Sequence, residues 1–134
     1  MSISYVTVLP GKEQYASLFA TTGWNDEHHL DADRLYEAIS HSWYTVSAYD
    51  DARLVGFGRA ISDGVLHALI VDLIVAPEYQ GMGIGGHILR ELVRKCRSKG
   101  IRDIQLFCAR GKVGFYEKQG FTARPLDAPG MELK

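Results

Sequence analysis

The stretch Val71-Asp72-Leu73-Ile74-Val75-Ala76-Pro77-Glu78-Tyr79-Gln80-Gly81-Met82-Gly83-Ile84-Gly85-Gly86 runs from an apolar strand through a proline turn into a glycine-rich corner. An amphipathic helical pattern follows it. Four glycines among the six residues 81–86 leave the main chain bare of Cβ atoms, so a ligand can approach the backbone itself. The helix beyond turns its unpaired N–H groups and the positive end of its dipole toward that corner. Strand, corner and helix N-terminus together make a site for a phosphate or pyrophosphate.

Upstream of this stretch the period is two. Trp43–Tyr49, Arg53–Ile61 and Val65–Val75 read as three strands joined by the short polar turns Asp50-Asp51-Ala52 and Ser62-Asp63-Gly64, an antiparallel meander. The third is nearly all apolar and belongs at the centre of a sheet. Before the meander, residues 3–9 read as an edge strand. Tyr15, Leu18 and Phe19 mark a helix ending near Gly23, and Leu35, Tyr36 and Ile39 mark another, capped by Asp31 or Asp33. Trp24–His29 between them reads as a loop.

Downstream, Ile88, Leu89, Leu92, Val93 and Cys96 share one helical face, and Gly100 ends the helix. Residues 101–109 form a strand able to pair in parallel with the third meander strand across the helical crossover. Residues 111–119 are helical, Phe121 begins a last strand, and Met131–Lys134 adds a short terminal one.

The whole reads as one domain, residues 1–134, large enough for a core without disulfide or metal. Apolar residues make up 46% and charged residues 23%, as in an ordinary soluble globule. Fifteen basic against sixteen acidic side chains give a net charge of -1, no field for nucleic acid or an anionic membrane. No apolar run approaches the ~20 residues that span a bilayer. Cys96 and Cys108 fall in apolar patterns, which predicts reduced, buried fillers in a cytoplasmic protein.

Three phosphate-binding patterns fit a glycine corner unequally. A P-loop needs Gly-Lys-Ser/Thr, and Gly85-Gly86-His87 stands here instead. Gly81, Gly83 and Gly86 satisfy GxGxxG, but the carboxylate at the expected distance, Asp103, precedes its strand rather than ending it, and three antiparallel strands come first. The third pattern is a family's. Gln80-Gly81-Met82-Gly83-Ile84-Gly85 resembles the Gln/Arg-x-x-Gly-x-Gly/Ala segment of the GCN5-related N-acetyltransferases, the GNAT family. Phe115-Tyr116-Glu117-Lys118-Gln119-Gly120-Phe121 resembles its second signature, an aromatic-Tyr-x-x-x-Gly-Phe block. The order of elements matches over essentially the whole chain.

The resemblance implies an α+β GNAT fold: a mixed sheet with an antiparallel N-terminal meander, a splayed parallel strand pair, and helices on both faces. It implies acetyl transfer from acetyl-CoA to a primary amine, with a non-catalytic acetyl-CoA-binding sensor or regulatory module as the alternative. The N–H groups of Gln80, Gly81, Met82, Gly83, Ile84, Gly85 and Gly86 would hold the pyrophosphate. Leu73, Ile74 and Val75 would run beside the pantetheine arm, admitted by a bulge that splits this strand from the next. An N–H of Leu73 or Ile74 would polarise the thioester carbonyl. Tyr116 matches the acid that protonates the departing thiolate, and packing is the plain alternative. Many relatives carry a glutamate where this chain has Leu69, Ile70 or Val71. Asp72 is then the one carboxylate in the strand: it either faces the acceptor as a base or is simply solvated or paired at the sheet face. By alternation His67 faces away from Asp72 and reads as a surface histidine. An asparagine common seven residues before the tyrosine is here Ala109.

For the acceptor, Trp24 and Trp43 offer aromatic faces and Asp26 attracts an ammonium, which suits a small-molecule amine. Gly23-Trp24 and Pro129-Gly130-Met131 also resemble a functionally mixed GNAT subgroup that includes plastid-type serotonin acetyltransferases. No metal, nucleic acid or membrane partner is expected. A homodimer is expected from family habit and from the open edges of a small sheet.

Overall fold

The computed structural model describes residues 2–134. Alternating burial in β1 (Ile3–Val6) makes it the edge of a five-stranded sheet of order β1-β2-β3-β4-β5. β2 (Tyr44–Asp50), β3 (Arg53–Ser62) and β4 (His67–Val75) form the expected antiparallel meander, and β5 (Asp103–Leu106) pairs in parallel with β4.

Two helices cover one face. α1 (Lys12–Ala20) buries Tyr15, Leu18 and Phe19, and Tyr15 meets Phe57 of β3 edge-on at 4.8 Å. α3 (Ala32–Ser40) buries Leu35 and Ile39, and the Asp31 carboxylate accepts the Arg34 N–H at 2.9 Å. Asp31 is therefore the cap, while Asp33 pairs with Lys12. α4 (Ile84–Ser98) covers the other face with Ile84, Ile88, Leu89, Leu92 and Cys96, all buried. The close approach needs glycine: a Cβ on Gly58 would lie 2.7 Å from Ile88 and 3.1 Å from Leu92. This is the α+β architecture expected, with helices on both faces.

Several local expectations are corrected. Residues 25–28 form a short helix, α2 (Asn25–His28), because the Asn25 side chain both donates to Leu30 O and accepts the Leu30 N–H. Val65 and Leu66 belong to the turn before β4, since Asp63 gathers the N–H groups of Val65, Leu66 and His67 on one carboxylate oxygen. β5 ends at Leu106, and the following helix, α5 (Val113–Lys118), starts two residues later than expected. The strands expected at Phe121 and at Met131–Lys134 do not form. Pro125 and Pro129 have no N–H to give a ladder, and Leu126, Met131 and Leu133 stay exposed. That segment instead touches β5 through side chains: Arg124 donates to Gln105 at 3.4 Å, and Gly130 lies against Phe107. Cys96 is buried as expected, but Cys108 is exposed because it falls beyond the end of β5; both thiols are free.

Candidate active site

β4 and β5 pair from His67 opposite Asp103 to Ile70 opposite Leu106, and then part. The cause lies in β4. Three steps along it, from Val71 to Ile74, match two along β3, from Arg59 to Phe57, so β4 carries one extra residue. Asp72 takes the strain, at φ 54, a region aspartate tolerates better than most side chains. Past the bulge the Ala76 N–H bonds to Val55 O at 2.8 Å. Alternation then turns the Val75 N–H and carbonyl away from β3, toward the split. There the Gln80 side-chain amide donates to Val75 O at 3.0 Å.

The glycine corner stands beside the open end of that split. A 3-10 turn (Pro77–Tyr79) leads into it, and Gly81 and Gly83 adopt φ 80 and φ 83, which only glycine does freely. The first bond of α4 runs from the His87 N–H to Gly83 O at 3.1 Å. The N–H groups of Ile84, Gly85 and Gly86 therefore have no helical acceptor, and no acidic residue occupies the first turn. No Cβ at Gly81 or Gly83 would meet anything within 4 Å, so the cradle is open. An anion fits it by dipole, by free donors and by space. α5 closes one side. A Cβ on Gly85 would lie 3.6 Å from Phe115, and one on Gly86 would lie 3.1 Å from Gln119, which accepts from Arg90.

Tyr116 stands on α5, half-buried between Phe115 (5.0 Å) and Phe121 (6.2 Å), both edge-on. Burial, and then the neighbouring charge of a Cys108 thiolate, push its phenol above the ordinary 10.0. It thus keeps its proton through the neutral range and can donate it. Ala109 supplies only its carbonyl, which accepts from Cys108 and from the Lys112 N–H.

Asp72 is paired at the sheet face. Its carboxylate accepts the Arg59 Nε–H at 2.7 Å, with only 13% of the arginine side chain and 22% of the aspartate exposed. Arg59 also reaches Ala38 O in α3 and Ser42 Oγ just beyond its end, which puts the pair on the α1–α3 face. His67 shares that face, contrary to simple alternation, because the extra residue of the bulge shifts the side-chain period by one. Five residues of strand still separate the two, roughly 16 Å. His67 is largely exposed and its Nδ1 meets the Asp103 carboxylate at the opposite edge of the sheet.

The aromatic residues do not converge. Trp24 is 38% exposed and packs edge-on against Phe19 of α1 at 5.9 Å, with exposed Asp26 beside it. Trp43 packs against Ala68, Cys96 and Ile101, behind α4 on the other face. Arg59 was not singled out from the sequence. Its signal was present: a lone arginine inside an otherwise apolar strand, with a lone aspartate inside the next.

A sheet split by a bulge beside a helix-capped glycine cradle defines an acyl-CoA-type transferase fold. Residues 12–121 match the acetyltransferase (GNAT) family model, so this chain belongs to the GNAT family. It is 40% identical over 103 residues to the chloroplastic serotonin N-acetyltransferase 2 of Oryza sativa subsp. japonica, covering 74% of this chain and 52% of that protein. The chloroplastic GCN5-related N-acetyltransferase 1 of Arabidopsis thaliana is 32% identical over 123 residues, 89% of this chain and 60% of its own length. The chain therefore spans about half to three-fifths of these relatives. Among solved structures, a GNAT family acetyltransferase of Streptococcus pneumoniae superposes with TM-score 0.80 at 29% identity, covering 99% of this chain and 96% of that one. An N-acetyltransferase of Thermoplasma acidophilum in complex with coenzyme A shares the fold, with TM-score 0.74 at 22% identity over 92% of each chain.

Proposed function

We propose that this protein is an N-acetyltransferase that moves the acetyl group of acetyl-CoA to the primary amine of a small molecule, by direct attack in a ternary complex. One observation carries the reading: the separation of β4 from β5 after Ile70 and Leu106, opening directly onto the glycine corner. A pantetheine-sized chain can lie along the free edge of Leu73, Ile74 and Val75. Its pyrophosphate then meets the N–H groups of residues 81–86, while the Gln80 N–H, also expected there, is given to Pro77 O at 3.4 Å. A Thermoplasma acidophilum protein of the same fold is known in complex with coenzyme A, which supports a coenzyme A ligand for this chain.

When bound, acetyl-CoA supplies an activated thioester carbonyl. The Leu73 N–H beside the bulge, which alternation leaves on the split side with that of Val75, donates to the oxygen on which charge develops. Tyr116 gives its proton to the leaving sulfur as the C–S bond breaks. The amine nitrogen forms the new bond to carbon and releases its proton to solvent. The Arg59 pairing favours Asp72 as a fixed charge that holds the strand, over its taking the amine proton directly. Trp24 and Asp26, at the α1–α2 corner on the same face as Asp72, are the residues proposed to meet the amine. Trp43, behind α4, belongs to the support of the sheet.

Among the described residues no helix is long and apolar enough to cross a membrane. The two free thiols fit a reducing compartment, and we place the protein in the cytoplasm on that ground.

The test is release of free thiol from acetyl-CoA with a panel of small amines, peptides and aminoglycosides. Turnover with a small amine is expected. Saturable acetyl-CoA binding with no turnover on any amine would favour a sensor module instead, and a peptide lysine as the best acceptor would overturn the small-molecule assignment.

A further inference from the structure

We infer that Arg59 is a positioning residue for the acetyl-transfer site: it holds the β4 bulge in the conformation that points the main chain at the thioester. The left-handed turn at Asp72 (φ 54) is uphill for any residue with a Cβ, so the surroundings must hold it there. Arg59 does so from β3. Its Nε–H donates to Asp72 Oδ2 at 2.7 Å, and its Nη1 donates to Ala38 O at 3.2 Å and Ser42 Oγ at 3.4 Å.

These partners come from β4, from α3 and from the turn that follows α3. Ala38 belongs to the last turn of α3, where its carbonyl also accepts the His41 N–H and the negative dipole end attracts a cation. Ser42 is itself fixed, donating to Ile39 O at 2.7 Å. The guanidinium thus ties the bulged strand to the end of α3 through a single rigid fork. A lysine, with one point of charge, cannot reproduce that geometry. The charged neighbours are accounted for. The buried Tyr15 phenol of α1 is raised first by burial, then by the negative charge of Asp72, and Arg59 opposes the latter.

The consequence falls on the next residue. Asp72 precedes Leu73, and rotating Asp72 out of its left-handed state redirects the Leu73 peptide N–H. The β4–β5 split and the oxyanion donor therefore share one support, and Arg59 is that support. The inference rests on the acetyl-transfer reading above.

The experiment compares the wild type with Arg59→Met, Arg59→Lys and Asp72→Asn. Coenzyme A affinity is measured by calorimetry, kcat and KM with the best amine, and the NMR resonance of an isotope-labelled acetyl carbonyl in bound acetyl-CoA. For Arg59→Met, coenzyme A affinity is expected to stay within about threefold while kcat falls about 10²-fold, the usual scale for losing an oxyanion donor. Arg59→Lys should fall between, and the bound carbonyl resonance should move back toward its free position in step with kcat. Variants that bind coenzyme A normally, keep kcat within about threefold and leave the resonance unmoved would overturn the inference. If Arg59→Met does not fold, Arg59→Lys and Asp72→Asn decide by the same criteria. A wild type that binds no acetyl-CoA would instead overturn the acetyl-transfer reading, and this inference with it.

Discussion

Ile70 pairs with Leu106, and they are the last residues to join β4 to β5 although β4 runs on to Val75. The β4 edge beyond Ile70 thus keeps main-chain donors and acceptors with no strand to meet them. A bound pantetheine arm supplies those partners. Amide hydrogen exchange across residues 71–76 should therefore slow when coenzyme A is added, while exchange in β1 stays as it was. Unchanged exchange in 71–76 at saturating coenzyme A would place the arm elsewhere.

The glycine corner makes the second prediction. Gly83→Glu adds a side chain at φ 83 and a negative charge to a cradle of N–H donors. At 100 times its dissociation constant a ligand stabilises the folded state by about 2.7 kcal/mol, a clear rise in Tm. Wild type should show that rise with acetyl-CoA and the variant none. A normal rise in the variant would remove the corner as the pyrophosphate site.

Tyr116→Phe removes one hydroxyl from a half-buried ring and keeps its edge contacts with Phe115 and Phe121. Coenzyme A affinity should hold while kcat falls about 10²-fold, as for a proton donor acting in the transition state. An unaltered kcat would leave Tyr116 as packing and give the thiolate its proton from water.

Asp72→Asn separates two roles for one carboxylate. A positioning role predicts a loss of similar size from about pH 7 to about pH 9, because the bulge loses its charged anchor at every pH. A general base predicts a loss that disappears at the alkaline end, where the free amine no longer needs help. The pairing with Arg59 leads us to expect the parallel profile, measured as kcat/KM against pH.

Alkaline stability follows from the phenols. Burial, then the charge of Asp72, raises the Tyr15 phenol well above its ordinary 10.0, and burial raises Tyr116 as well. Above pH 10 the unfolded chain releases protons that the native chain still holds, so stability to unfolding falls as pH rises. Below pH 10 this contribution is fully present. Urea midpoints should be level up to about pH 10 and then drop, and the drop should be smaller in Tyr15→Phe. A midpoint that stays level to about pH 11.5 would show that these phenols ionise as freely in the folded chain as in the unfolded one.

The amino-acid sequence by itself determined what local period and local chemistry can encode. The helices carry their own apolar stripes, as in Ile88, Leu89 and Leu92, and the meander carries period two with polar turns. The glycine corner and the Phe115–Phe121 block are contiguous, so family and fold were legible from them. The tertiary structure decided what depends on partners distant in the chain. Whether β4 bulges at Asp72 is a matter of its register against β3, and the same shift brought Asp72 onto Arg59 and onto the face of His67. Trp43 and Trp24 look equivalent as aromatic residues near the first helices. Which face of the sheet each occupies was set by packing, one against Cys96 and Ile101, the other against Phe19. The tail from Phe121 onward alternates well enough for a strand, but two prolines and the lack of a ladder partner left it docked by side chains alone. A sequence records each residue's preference; only the folded chain settles which preferences can be met together.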